Sequence, residues 1–227
     1  MKDNPKISII IPVFNEKEDI ISAINYIKKL EYSNYELIIV DDSIDETPEL
    51  IKKNSFDKLI YIQPEIRKDR SQARNIGIKR SSGEILVILN ADVLLPSNFL
   101  NKIITNYKNG CDYLLVDSEV YNLSSIYARH VDCDHKYKRY ETDWVNKWTW
   151  TEGFSVRRDI ALKTSLFPSG SVPMTAGEDR VFGEDLDMLG ALKKVDLDIV
   201  VKHISPDNFN DFWIFRQSRG AGSSQVK

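Results

Sequence analysis

Four short runs of unbroken apolar character, separated by helical patterns, constrain this chain more than any other feature. They are KISIIIPVF (6–14), YELIIVD (35–41), KLIYIQ (58–63) and EILVILN (84–90), and YLLVDSEVY (113–121) is a further strand. A strand wetted on one side alternates apolar and polar residues. These four do not, so both faces must be covered, as in a parallel sheet. Between them, EDIISAINYIKKL sets Ile20, Ile24, Ile27 and Leu30 at helical spacing, and Thr47-Pro48 marks an N-cap and first turn. SQARNIGIKRSSG stops on glycine, and Pro96 opens a helix bearing Phe99, Ile103 and Tyr107. This βαβαβαβα succession predicts right-handed crossovers and a doubly wound α/β sheet. A ligand would then lie beyond the carboxyl ends of the strands, where strand order reverses.

Three of the runs end in polar groups: Asn15-Glu16, Asp41-Asp42-Ser43 and Asn90-Ala91-Asp92. A turn or a helix cap would explain any one of them. Three together, brought to one sheet edge, point to a ligand. Oxygen donors there suit Mn2+ or Mg2+, which share their shell with phosphate oxygens, so a metal with a diphosphate is the natural guest. Neither G-x-x-x-x-G-K-[ST] nor G-x-G-x-x-G occurs, which removes the main support for P-loop or dinucleotide chemistry.

At 227 residues and 42% hydrophobic, the chain is long enough for one well-buried core, and residues 1–227 are read as a single domain. A net charge of −3 gives no global reason to bind nucleic acid. Cys111 and Cys133 form no C-x-x-C, so a reduced, cytoplasmic chain is expected. No apolar stretch approaches the roughly 20 residues that span a bilayer, and MKDNPK carries no signal-peptide core. After residue 122 the rhythm breaks into YARHVDCDHKYKRYETDWVNKWTWTEG, the kind of irregular segment that serves as a lid or binding surface. A helical EDLDMLGALKK, a strand DIVVKHI (198–204) and an aromatic, basic tail follow.

In order and spacing, IIPVFNE, VDDSIDET, RSQARNIGIKRSSGEILVILNAD, GFSVRR and GEDLDMLGALKK resemble glycosyltransferase family 2 enzymes of the GT-A fold. The resemblance implies a Rossmann-like, mainly parallel sheet flanked by helices. Residues 1–121 would bind the nucleotide sugar and 122–227 the acceptor. It also implies metal-dependent transfer of a sugar, with inversion, from a nucleotide-diphosphate donor, a UDP-sugar first, to a glycan or lipid-linked hydroxyl. The tail FWIFRQSRG adds an expected contact with the cytoplasmic face of a membrane, and related chains often continue beyond this point into membrane segments.

Carried over residue by residue, the resemblance has Pro12, Val13, Asn15 and Glu16 frame the nucleotide, with one of Asp41 and Asp42 accepting from a uracil-like N–H. Arg70 and Arg74 would neutralise donor charge, while Asn75 and Gly77 support the fold. Asp92 matches the second acid of D-x-D and is the expected metal ligand, with His203 as a further one. Asn90, followed by Ala91, stands where the first acid of that motif usually does, which predicts weaker metal binding. His130 and His135 lack matching context and are read as surface or satisfied histidines. Asp185, with Glu184 beside it, is expected to be the general base, in preference to Glu178-Asp179 just upstream. Trp148, Trp150, Glu152, Gly153 and Phe154 fall where sugar and acceptor meet, and Arg216 and Arg219 are expected to close over the diphosphate. Two other readings stay open. One is a nucleotide-sugar-binding protein without catalysis, motivated by Asn90. The other is a sugar-phosphate nucleotidyltransferase, whose Gly-rich signature near the first strand is missing.

Overall fold

A computed structural model describes residues 3–147, 149–169 and 176–225. The four apolar runs become β1 (Ile7–Val13), β2 (Tyr35–Asp41), β3 (Leu59–Ile62) and β4 (Ile85–Ile88). They pair in parallel, in the order β3-β2-β1-β4. Between and after them lie α1 (Asp19–Ile27), α2 (Thr47–Lys53), α3 (Arg70–Arg80), the two-residue β5 (Val93–Leu94) and α4 (Phe99–Lys108). The second half supplies β6 (Tyr113–Val120), α5 (Ile126–Tyr140), α6 (Trp144–Lys147), β7 (Phe154–Arg157) and α7 (Arg158–Ala161). It ends with α8 (Glu178–Met188), β8 (Lys193–His203) and α9 (Phe209–Gln225).

One eight-stranded sheet results, ordered β3-β2-β1-β4-β7-β6-β8-β5. β7 runs antiparallel to both β4 and β6, β8 runs parallel to β6, and β5 runs antiparallel to β8. The sheet is therefore mainly parallel, as the unbroken runs predict. Period-2 alternation sends Ile7, Ile9 and Ile11 into the layer holding α1 and α4, and Ile10, Ile38 and Ile88 into the layer holding α3 and α8. Gly77 of α3 packs directly on the Ile10 side chain, so any larger residue there would push the helix off the sheet.

The strands' amino ends are tied separately. Buried Glu36 accepts from Lys6 at 2.6 Å, from the Ser8 hydroxyl at 2.6 Å and from the Ser82 backbone N–H at 2.8 Å.

The predicted helix over EDLDMLGALKK begins earlier and ends earlier. α8 starts at Glu178, after Gly177 in the left-handed region (φ 89°), and stops before Gly190 (φ 71°). Lys193 and Lys194 already belong to β8. Measured back from Gly190, Glu178-Asp179 occupy the first turn while Glu184-Asp185 lie inside the helix.

Candidate functional site

Strand order reverses between β1 and β4, and beyond their carboxyl ends lie two adjoining hollows of about 430 and 800 Å³. Arg70, Asn90, Asp92 and Ser218 line both, so the two hollows form one continuous cleft.

The smaller hollow is walled by Pro12, Val13, Phe14 and Glu16 from the end of β1, with Asp42, Arg67, Lys68 and Ala91. The pair after β2 divides its labour. Asp41 is fully buried, accepting from the Ser43 N–H at 2.9 Å and the Tyr61 hydroxyl at 2.7 Å, and it does not line the hollow. Asp42 does line it, with a buried Oδ2 that has no hydrogen-bond partner. Burial, and to a lesser degree the Asp41 charge, push the Asp42 carboxyl above its ordinary range against the pull of Lys68. An acceptor in that setting favours an N–H donor. Asn15, expected to frame the nucleotide, does not line the hollow. In the left-handed region (φ 57°), its N–H donates to Ser43 Oγ at 2.8 Å and its Oδ1 accepts from the Ile44 N–H at 3.0 Å. It clamps two loops together, and its neighbours face the hollow.

β5 decides what meets at the junction. Its antiparallel register sets Val93 opposite His203, which places Asp92 Oδ2 3.1 Å from His203 Nε2. On its other side, His203 Nδ1 lies 3.1 Å from Ser205 Oγ, fixing the ring. Burial alone would lower the His203 pKa, but the charge and hydrogen bond of Asp92, with the charge of Glu152, raise it above the ordinary value. Asp92 Oδ1 is buried without a partner. Burial, then repulsion from Asp92 and from Asp19, raises Glu16 to about 7, and burial, then repulsion from Asp92 and from Glu18, raises Asp19 to about 6. Carboxylates crowded in this way attract a cation. Among the described residues, no group of three or more His, Cys, Asp or Glu side chains is arranged around one metal position. At the junction the chain presents Asp92 and His203 as a close pair. Its hard oxygen and imidazole nitrogen suit Mn2+ or Mg2+ with phosphate and water completing the shell.

Asn90 faces a different partner. Its Oδ1 accepts from Arg74 Nη2 at 2.7 Å, while Arg74 Nη1 donates to Glu178 Oε1 at 2.8 Å and Nη2 approaches Thr151 Oγ1 at 3.2 Å. Arg74, expected to neutralise donor charge, is wholly buried, stacks over Phe167 and lines neither hollow. It cross-links α3, the segment after β4 and the first turn of α8. Arg70, one turn earlier, does line both hollows and stands 3.6 Å from Glu178. Asn75 clamps the Phe167 backbone, donating at 2.8 Å and accepting at 3.0 Å, which is a fold-supporting role.

The structure places the expected base pair, Glu184 and Asp185, away from the cleft. Glu184 is exposed and bound to Arg180 at 2.6 Å, Asp185 accepts from Ser165, and neither lines the cleft. Gly183, which makes the second copy look like a motif, is instead the point where α8 packs on Thr149. Glu178 and Asp179 do line the cleft. Burial would raise Glu178, but Arg74 and Arg70 hold it below its ordinary range, whereas burial and the Glu178 charge lift Asp179 to about 7. Helix length separates the two copies: the acids of the first turn reach the sheet edge, and those inside the helix do not.

Of the expected sugar-side residues, Glu152 and Trp150 line the larger hollow, and the Trp150 indole is anchored by a 2.9 Å bond to the Val116 carbonyl. Gly153 and Phe154 do not line it. Gly153 (φ 80°) lies against Val116, where a Cβ would come within 2.6 Å, and Phe154 is fully buried against Tyr113 and Phe182. Trp148 lies outside the described residues. The expected basic tail is a helix, α9, laid across the hollow, and Arg216 and Arg219 both line it. Arg216 stands 3.7 Å from Asp134 and Arg219 3.9 Å from Glu152.

The sequence reading missed His135. It is buried in the cleft wall, its ring centroid 6.1 Å from that of His203. Its signal lies in α5, where Ala128, Val131, Asp132, His135 and Arg139 form a buried stripe at helical spacing with polar members.

Comparison with known proteins agrees with this architecture. A stretch of the UDP-Glc:α-D-GlcNAc-diphosphoundecaprenol β-1,3-glucosyltransferase WfgD of Escherichia coli is 30% identical over 131 residues, covering 57% of this chain and 52% of that protein. The dolichol-phosphate mannosyltransferase of Pyrococcus furiosus is 36% identical over 110 residues, covering 47% of this chain and 31% of that one. The chain thus spans about half or less of these relatives' lengths. Among solved structures, S. aureus TarS 1–349 with UDP-GlcNAc superposes with a TM-score of 0.74 at 18% identity, covering 92% of this chain and 60% of that one. Mannosyltransferase PcManGT of Pyrobaculum calidifontis, with GDP-Man and Mn2+, gives 0.73 at 19% identity, covering 98% and 64%. These two share the fold, mixed α/β with the GT-A arrangement. The family model for glycosyl transferase family 2 matches residues 8–167, more than half of the chain, and to that family the chain belongs.

Proposed function

We propose that the chain moves a sugar from a nucleotide-diphosphate donor, a UDP-sugar first, to a hydroxyl of a glycan or lipid-linked acceptor, with inversion at the anomeric carbon. One observation carries this reading. The Asp92–His203 pair and Asp179 face a single cleft that opens directly into the hollow lined by Asp42. In it, the acceptor oxygen forms a bond to the anomeric carbon as the bond from that carbon to the diphosphate breaks. The acceptor proton passes to Asp179 and the nucleoside diphosphate leaves.

Asp179 suits the task because a general base works best when its pKa lies near the working pH, and its carboxyl titrates at about 7. Glu178, held by Arg74, fixes the turn that presents it. Asp42 offers an unpartnered acceptor to a base N–H, and Arg70 brings positive charge to the junction of the hollows. Asp92 and His203 would hold Mn2+ or Mg2+, which when bound offsets the charge of the departing diphosphate. The PcManGT structure carries Mn2+ with its GDP-Man, which supports this expectation. Among the described residues no helix is long and apolar enough to cross a membrane. A lipid-linked acceptor, of the kind named for WfgD, would be met at the cytoplasmic membrane face.

The test is nucleotide release and thermal shift with UDP-glucose, UDP-GlcNAc and GDP-mannose, each with Mn2+ or Mg2+. Stabilisation by a UDP-sugar, and sugar-dependent release of UDP that disappears in Asp179→Asn, is the expected result. No shift with any donor, with control enzymes active, would remove the donor-site reading.

A further inference from the structure

Behind the Asp92–His203 pair, the cleft continues to a wall built by α5 and the segment leading into β7. The reaction as described makes no use of this wall. Its polar atoms are deep and short of partners. Nδ1 of His135 and Nε of Arg139, on side chains of residues 7% and 5% exposed, are buried with no hydrogen bond. Glu152, 7% exposed, has Arg139 Nη2 at 3.8 Å and Arg219 Nη2 at 3.9 Å, both beyond hydrogen-bond reach. Among the described residues, no donor hydrogen-bonds its carboxylate. Buried polar groups are ordinarily satisfied, and two unpartnered nitrogens beside a carboxylate that guanidinium groups reach only at a distance call for a ligand that supplies both donors and acceptors.

The chemistry of that ligand follows from the charges. The Glu152 carboxylate stands between the guanidinium groups of Arg139 and Arg219, at 3.8 and 3.9 Å, so the wall already carries both signs of charge. An anionic group would meet the Glu152 carboxylate. A cationic one would meet Arg139, which Asp117 and Ser118 hold in place at 2.7 and 2.9 Å, and Arg219. Hydroxyls, which donate and accept without charge, match all three residues.

We infer that His135, Arg139 and Glu152 form a subsite for the hydroxyls of a neutral sugar ring, that of the acceptor. This assignment rests on the glycosyltransferase reading. It adds α5 to the recognition machinery and makes His135 a specificity-determining residue. The same hydroxyl chemistry is present on the sugar of a nucleotide donor, so the experiment separates the two sources.

Ligand-observed NMR on the full chain would follow methyl β-D-glucopyranoside and methyl N-acetyl-β-D-glucosaminide at millimolar concentration, alongside the affinities of UDP, UDP-glucose and UDP-GlcNAc. The variants are His135→Phe, which keeps a ring, and Glu152→Gln, which keeps the shape, with Glu152→Asp as the conservative rescue and thermal melts as the folding control. Glycoside binding should fall about tenfold in both variants with UDP affinity unchanged, and partly return in Glu152→Asp. A loss confined to UDP-sugars, with UDP itself unaffected, supports the subsite and assigns it to the donor ring. Folded variants in which glycoside and UDP-sugar affinities both stay at the wild-type value overturn the inference. So does a wild-type chain that binds neither glycoside and gains nothing from UDP-sugars over UDP. Failure of UDP to bind would instead sink the glycosyltransferase reading, while glycoside binding that depends on residues 135 and 152 would still stand.

Discussion

Arg74 and Glu178 meet at 2.8 Å across a sequence separation of 104 residues, both almost entirely removed from solvent. The bond fastens the first turn of α8 to α3, so the next residue, Asp179, is held at the cleft. Removing one member of a buried ion pair leaves the other charge uncompensated. Arg74→Met should therefore cost about 3–5 kcal/mol in urea unfolding, with a substantial part recovered in the double variant Arg74→Met/Glu178→Gln. A loss below about 1 kcal/mol would show that Arg74 does not carry this cross-link.

Asp179→Asn should lower sugar transfer by about 10²–10⁴-fold with UDP binding retained, whereas Asp185→Asn should stay close to wild type. The same kinetic comparison with the two results exchanged would return the base to the second acidic pair.

The pH profile of transfer checks the same assignment independently. With its carboxyl raised to about 7, Asp179 is protonated and inactive as a base below that pH. Transfer should therefore rise as pH climbs through about 7, and the limb should vanish in Asp179→Asn. A limb near 4, an ordinary carboxylate value, would count against Asp179.

Asn90→Asp should strengthen Mn2+ binding, read by calorimetric titration, because it restores a second carboxylate beside Asp92. The gain should be several-fold rather than large, since Arg74 at 2.7 Å will claim part of the new charge. Equal affinity in the two proteins would mean that position 90 plays no part in the metal environment.

Glu36 gives a test remote from the cleft. Burial would raise its carboxyl, but Lys6, Ser8 and Ser82 hold it down at about 2. A depressed folded-state value contributes stability that is complete above the unfolded pKa of 4.5 and is lost as pH falls toward 2. Melting temperature should therefore drop more steeply below pH 4.5 in the wild type than in Glu36→Gln.

Much of the first half of the chain is legible in the linear pattern, because each of its strands and helices is written by local rules. The runs ending at Val13, Asp41 and Ile88 are apolar on both faces and can only be covered strands. Their polar ends fall at one edge by geometry. The short β5 and the antiparallel β7 carry no comparable signal, since a pair of residues or a four-residue strand borrows its stability from neighbours.

What the sequence by itself determined is the mainly parallel sheet, its family pattern, and the approach of Asp42, Asn90 and Asp92 to one crevice. Tertiary structure alone decided how those groups are spent. Asp41 and Asn15 turn to clamp loops, and Arg74 is consumed by Glu178 and Asn90. Asp92 finds His203 only through the register of β5 on β8, and Glu178 and Asp179, rather than Glu184 and Asp185, line the cleft because α8 begins where Gly177 turns. The physical reason is common to all four. A local motif specifies which side chains reach an edge, but a buried polar group must be satisfied by whatever partner packing brings. Those partners lie from 16 to 111 residues away in the chain, where spacing carries no information about them.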